Sequence, residues 1–409
     1  MTNRLDGLDG LRALACAMVV FHHIGLQTDM SAVGTSLRWL GAFAARGGYG
    51  VVFFFVLSGF LLSLPFWKAI RDQATLPSQR VYWLRRFARI VPGFYVALTG
   101  SLFLAVTLNV TTPDAQTAAR FLAGATFLSP FSETTFFPVE LNGPLWSIAF
   151  EVLAYAGLPL CFMLLAALPS LSGSRIGRLA LFTSLIALSA VLHKWHVDSI
   201  TISTAQAGAP PLRVLGDDFF ARYSVFAMFA IFGIGALAGA AHVNLIWQKG
   251  KAADAIALAS LLVAAILSLG LGPDTGDMSE VFAMPYSDFP LLPISIAVFL
   301  VAAPRSKVIG RLLDFGPARY IALISFGIYI YHMPVLHVAG LLIVGEDLVA
   351  KRTGQALAVL SVTWVTTIVL AHLSFRKLEE PAMQWARRLE QRVAGERRPA
   401  ASGQTDITV

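Results

Sequence analysis

Arg12 and His23 stand eleven residues apart in the stretch LDGLDGLRALACAMVVFHHIG, residues 5–25, and both interrupt an otherwise apolar run. At about 100° per residue, that step returns to within roughly 20° of the same helix face and advances about 16 Å along the axis. Asp9 falls about 40° from His23 on this face, whereas His22 points about 100° away. A charge placed in such a run costs on the order of 3 kcal/mol even on the lenient insertion scale, so the stripe needs a reason. Imidazole can accept a proton near neutral pH, a carboxylate can orient the ring, and a guanidinium can hold an anion. An interfacial pair between Asp9 and Arg12 would explain the two shallow groups without chemistry. It leaves His23 unexplained.

Two further ionisable groups lie deep in apolar runs: Glu151 in NGPLWSIAFEVLAYAG and His332 in SFGIYIYHMPVL. Counted along the helical rise, each falls within several ångströms of the bilayer midplane. His23, Glu151 and His332 at one level, from three spans, point to a shared internal cavity, because none faces lipid cheaply. A structural hydrogen-bond cluster between helices is the plainer alternative. The stretch QRVYWLRRFARIVPGFY reads as a cytoplasmic loop in which Arg86 and Arg89, at i and i+3, share a helix face, with Arg80 and Arg85 nearby. Paired guanidiniums at that spacing suit a phosphate, as bidentate donors. A basic juxtamembrane loop also serves topology and anionic lipid.

The elements that must position these groups are membrane spans. The chain has 409 residues, 56% hydrophobic and 13% charged, against roughly a quarter charged for a soluble domain. Apolar runs of spanning length lie near residues 9–27, 49–67, 91–110, 144–167, 178–195, 221–241, 252–271, 288–303, 320–343 and 354–375. The eighth is short and carries prolines. The expected fold is all-α: a polytopic helix bundle of about ten transmembrane helices. An even count puts both termini on one side, and placing them in the cytoplasm puts 23 of the 31 lysines and arginines there, as the positive-inside rule requires. The acidic loop at 272–288, without Lys or Arg, then lies outside. This asymmetry accounts for the net charge of +7 without nucleic acid. A cleavable signal peptide is rejected, because the small-residue stretch AFA at 42–44 lies too far beyond the first apolar core. Gly47, Gly48, Gly50, Ser58 and Gly59 read as sites of close helix approach or a kink. Cys16 and Cys161 read as buried thiols, with no disulfide framework or metal site implied. Residues 1–380 form the membrane unit. Residues 381–409 form a charged cytoplasmic tail, of which AMQWARRLEQRVAGERR reads as a basic amphipathic helix on membrane lipids at the inner surface.

Taken in order, LDGLRALACAMVVFHH, GVVFFFVLSGFLLS, RRFARIVPGFY, PLWSIAFEVLAY, SFGIYIYHMPV and the EEP at 379–381 resemble the acyltransferase-3 family of integral membrane O-acyltransferases. The resemblance spans most of residues 5–381. It implies a multi-pass protein of the bacterial inner membrane that moves an acyl group, commonly acetyl, from cytoplasmic acyl-CoA to a hydroxyl. The implied acceptor is a surface glycan, a lipid-linked sugar or another carbohydrate or glycolipid, or a secondary metabolite. The family's R-x10-H maps onto Arg12 and His23, and its RxxR onto Arg86 and Arg89. His23 would then be the base, with Glu151 or Asp9 orienting its ring and His332 in the same cluster. Arg12 would hold a CoA phosphate or steady the developing oxyanion, Arg86 and Arg89 would hold the nucleotide end of CoA, the acyl group would pass directly or through an acyl-histidine, and no metal takes part. No soluble hydrolase-like domain of the kind some members carry is expected. Two other classes remain: a secondary transporter with Asp9, Glu151 and His332 as a proton relay, and a sensor that binds CoA without turnover.

Overall fold

The computed structural model describes residues 4–33, 41, 46–167, 174–206, 220, 223–269 and 289–396. Among these the architecture is helical, and the one β-type contact is an isolated bridge between Thr28 and Ala350. Nine helices among the described residues are long and apolar enough to cross a membrane. They begin with α1 (Leu8–Leu26), α2 (Gly50–Arg71) and α3 (Gln79–Thr107). The short α4 (Ala115–Ala125) follows, and then α5 (Trp146–Ala167), α6 (Arg175–Gln206), α7 (Val225–Asn244) and α8 (Lys251–Leu269). The eighth apolar run gives only α9 (Leu291–Ala302), too short to be counted among the nine. Beyond the short α10 (Ile309–Leu313) come α11 (Gly316–Ile343) and α12 (Thr353–Ser374). A π-turn at Phe375–Glu379 leads into α13 (Glu380–Glu396). The acidic loop at 272–288 and the AFA stretch at 42–44 lie outside the described residues.

Two features differ from the reading of the sequence. Arg80, Arg85, Arg86 and Arg89 are not on a loop: α3 begins at Gln79, so they occupy its first three turns. Apolar counting missed this because the basic residues lower the hydropathy of the first turns without weakening their helix propensity. The other is α4, whose Asp114 caps the helix by accepting from the Thr117 N–H at 2.8 Å. That bond and the nearby Thr hydroxyls hold the Asp114 carboxyl below the usual carboxylate range.

Small residues let the central helices touch. A Cβ on Gly59 of α2 would sit 2.0 Å from the Phe232 carbonyl oxygen of α7, and one on Gly235 of α7 would sit 2.0 Å from the Val56 carbonyl of α2. Such reciprocal backbone contact is how helices associate where lipid removes the hydrophobic drive. Trp67 Nε1 donates to the Ala236 carbonyl at 2.8 Å across the same seam. Both cysteines are buried free thiols.

The start of α1 is fixed by a residue far along the chain. The buried Asp314 carboxylate accepts from the Gly7 N–H at 2.9 Å and the Gly10 N–H at 2.8 Å. A carboxylate against the first turn satisfies orphan amides and complements the helix dipole. It ties the helix carrying Asp9, Arg12 and His23 to the start of α11, which carries His332.

Candidate active site

At the end of the bundle where α1, α3 and α11 begin, a vestibule of about 1040 Å³ opens. That is the size of a pocket for a large organic ligand. Its wall carries seven arginines: Arg4, Arg12, Arg85, Arg86, Arg89, Arg319 and Arg387. Only two carboxylates, Asp9 and Glu390, line it. A narrower cavity of about 140 Å³ runs deeper between α1, α2, α3, α5 and α11. Arg12, Arg86 and Arg89 line both spaces and so mark the passage between them. The inner cavity is bounded by Ser58, Ser147, Glu151, Tyr155, Ser325 and Tyr329 among apolar side chains.

The arginines are held in different ways. Arg85 makes a bidentate pair with Glu390 of α13, with contacts of 2.6–3.0 Å, and Arg4 pairs with Asp9. Arg89 lies 3.5 Å from the Glu379 carboxylate, which is fully buried at the π-turn and also accepts from Ser374 Oγ at 3.4 Å. None of Arg12, Arg86, Arg319 and Arg387 has a carboxylate at ion-pair distance among the described residues. Arg86 Nε is buried without a hydrogen-bond partner. Clustered guanidiniums with unspent donors make a site for an anion.

His23 and His332 line neither space, so they do not share the inner cavity with Glu151, but they form a pair of their own. His332 on α11 is fully buried, and its Nε2 stands 3.1 Å from His23 Nδ1. The other nitrogen of His332, Nδ1, lies 2.7 Å from the Tyr329 carbonyl, and His23 Nδ1 lies 2.9 Å from the Val19 carbonyl. A carbonyl only accepts, so each Nδ1 carries a proton. The single His23 Nδ1–H is then shared by two acceptors, the Val19 carbonyl and His332 Nε2, and the tautomers follow from this network. His23 is left with its lone pair on Nε2, the arrangement a general base needs.

The ring of Tyr329 lines the inner cavity, and its centroid is 5.9 Å from that of His332. Its hydroxyl is 2.6 Å from Ser147 Oγ and donates to the Pro144 carbonyl at 3.3 Å. Tyr329 therefore borders both the cavity and the histidine pair.

Of the groups expected together from sequence, His23 and His332 meet, and Arg12, Arg86 and Arg89 meet at the passage. Glu151 faces the inner cavity, where it accepts from Tyr155 Oη and, at 3.3 Å, from Ser58 Oγ. Asp9 faces the vestibule and pairs with Arg4. Neither carboxylate is hydrogen-bonded to His23 among the described contacts; its Nδ1 meets His332 and the Val19 carbonyl. His22 turns against Gly48, and its ring meets that of His23 with centroids 5.1 Å apart. Sequence reasoning passed over Tyr329, Ser147, Glu379 and Arg387. A polar residue at i−3 from a buried histidine, as Tyr329 is to His332, was the available signal for the first.

The family model described as an acyltransferase domain matches residues 5–373. The chain belongs to the acyltransferase-3 family. Among relatives of this acyltransferase-3 protein, the peptidoglycan O-acetyltransferase OatA of Listeria monocytogenes is 27% identical over 395 residues, covering 92% of this chain and 55% of its own. The putative peptidoglycan O-acetyltransferase YrhL of Bacillus subtilis is 25% identical, covering 92% of this chain and 54% of its own. This acyltransferase-3 chain thus spans about half the length of those two relatives. The acyltransferase MdmB of Streptomyces mycarofaciens is 25% identical over 99% of this chain and 96% of its own. No solved structure matches.

Proposed function

We propose that this protein transfers an acyl group, acetyl in the first instance, from cytoplasmic acyl-CoA to a hydroxyl of a surface glycan, a lipid-linked sugar or a secondary metabolite. It does so as a multi-pass protein of the bacterial inner membrane with both termini in the cytoplasm. The observation that carries this reading is the arginine-lined vestibule that narrows through Arg12, Arg86 and Arg89 into a cavity ending at Tyr329. That shape suits a polyanionic head with a thin neutral arm, the two halves of CoA. The names of OatA and MdmB support O-acyl and acyl transfer respectively.

The diphosphate rests on Arg12, Arg86 and Arg89, and the pantetheine arm lies in the inner cavity. His23 Nε2 takes the proton of the acceptor hydroxyl as its oxygen attacks the thioester carbonyl. The C–O bond forms, the C–S bond breaks, and the imidazolium returns its proton to the CoA thiolate, giving an ester and free CoA. His332 is a positioning residue, because it accepts from His23 Nδ1–H and fixes which nitrogen is the base.

The test is transfer of label from acetyl-labelled acetyl-CoA to alkali-labile esters in extracted envelope glycans and lipids, using the purified protein in vesicles. Ester formation that needs His23 supports the reading. Uptake of a labelled solute without ester formation supports the transporter instead.

A further inference from the structure

The last described helix, α13, is a wall of the vestibule. Met383, Ala386, Arg387, Glu390 and Gln391 of α13 all line it, and their spacing of three, four, seven and eight residues is one helix face. Glu390 fastens that face to Arg85 of α3. Arg387 and Arg319, at the start of α11, line the vestibule but not the inner cavity. Both are exposed and without a carboxylate at ion-pair distance among the described residues. The vestibule arginines therefore fall into two groups. Arg12, Arg86 and Arg89, the inner level, also line the cavity; the others line the vestibule alone, Arg4 and Arg85 held by carboxylates and Arg319 and Arg387 not.

We propose that Arg319 and Arg387 form a subsite for the terminal phosphomonoester of the donor, the 3′-phosphate on the ribose of CoA. The proposal rests on the acyl-CoA reading above. A diphosphate at the inner level, with the pantetheine arm pointing inward, leaves the nucleoside end at the mouth of the vestibule. A phosphomonoester there carries about −1.5 to −2 charges at neutral pH, which two guanidiniums with free forks match. The α13 helix thereby makes the donor site discriminate CoA from thioesters that lack this phosphate.

The experiment compares CoA with 3′-dephospho-CoA by calorimetry, on wild-type protein in lipid nanodiscs and on R319Q, R387Q and the double variant. The wild type binds CoA more tightly by about tenfold or more, the worth of one charge-assisted bond. In the double variant CoA affinity falls to that of dephospho-CoA, while dephospho-CoA binds as it does to wild type, which also shows that the fold is intact. A wild-type preference that survives in the double variant overturns the subsite, as does equal loss of both ligands. A wild type that binds neither ligand overturns the acyl-CoA reading itself.

Discussion

His332 Nε2 lies 3.1 Å from His23 Nδ1, and each ring is also tied by its Nδ1 to a backbone carbonyl. The pair makes a proton-accepting nitrogen at His23 Nε2 without any carboxylate. His23→Ala should lower the turnover of acyl transfer by about 10²- to 10⁴-fold, the usual worth of a general base, with the protein still expressed and inserted. His22→Ala should keep substantial activity. Equal loss in both variants would contradict the assignment of His23.

The positioning role of His332 gives a different signature. His332→Ala should lower turnover by less than His23→Ala does, while the Michaelis constant for acyl-CoA stays within about twofold. Added to His23→Ala, it should cause almost no further loss, because residues acting as one unit are not additive. Steady-state kinetics of the single and double variants decide this, and a fully additive double variant would show that His332 works by another route.

Arg86→Lys and Arg89→Lys should each raise the Michaelis constant for acyl-CoA by roughly 10- to 100-fold with little change for the acceptor, because lysine offers a point charge in place of a fork. Full rescue by lysine would assign these arginines to lipid headgroups instead.

The seam between α2 and α7 predicts a stability effect. Gly59→Ala and Gly235→Ala each drive a methyl against a carbonyl oxygen only 2.0 Å away and should destabilise the bundle by about 1–3 kcal/mol. Gly100→Ala, with nothing within 4 Å, is the control and should leave the melting temperature in detergent unchanged or raised.

Orientation follows from the distribution of basic residues. Reporters fused after residues 75 and 409 should both read as cytoplasmic, and one after residue 275 as external. An external C-terminal signal would contradict the arrangement and put the vestibule on the wrong side for CoA.

Much of this was legible in the sequence for physical reasons. Apolar runs fix spans because lipid demands them, so nine of the ten runs became long helices and the proline-marked eighth became the short α9. The face shared by Arg12 and His23 was legible because helical periodicity relates residues on one helix. Which neighbour His23 meets was not, since periodicity carries no information about the packing of α1 against α11. That is why Asp9 and Glu151 stood as candidates for the contact that His332 makes. The part α13 plays was hidden for a related reason. A basic amphipathic helix looks the same in sequence whether its face meets lipid or an arginine-lined vestibule, and the structure distinguishes them by the Arg85–Glu390 pair and by the α13 residues that line the vestibule.

The central claim is that His23 activates a hydroxyl for attack on an acyl-CoA held at Arg12, Arg86 and Arg89. The most direct measurement places acetyl-labelled acetyl-CoA on the cytoplasmic side of vesicles containing the protein, with extracted envelope glycans and lipids on the other, and counts alkali-labile ester. The account predicts ester in step with free CoA thiol for the wild type, and loss of both in His23→Ala while acetyl-CoA still binds. Ester formed equally by wild type and His23→Ala would contradict it.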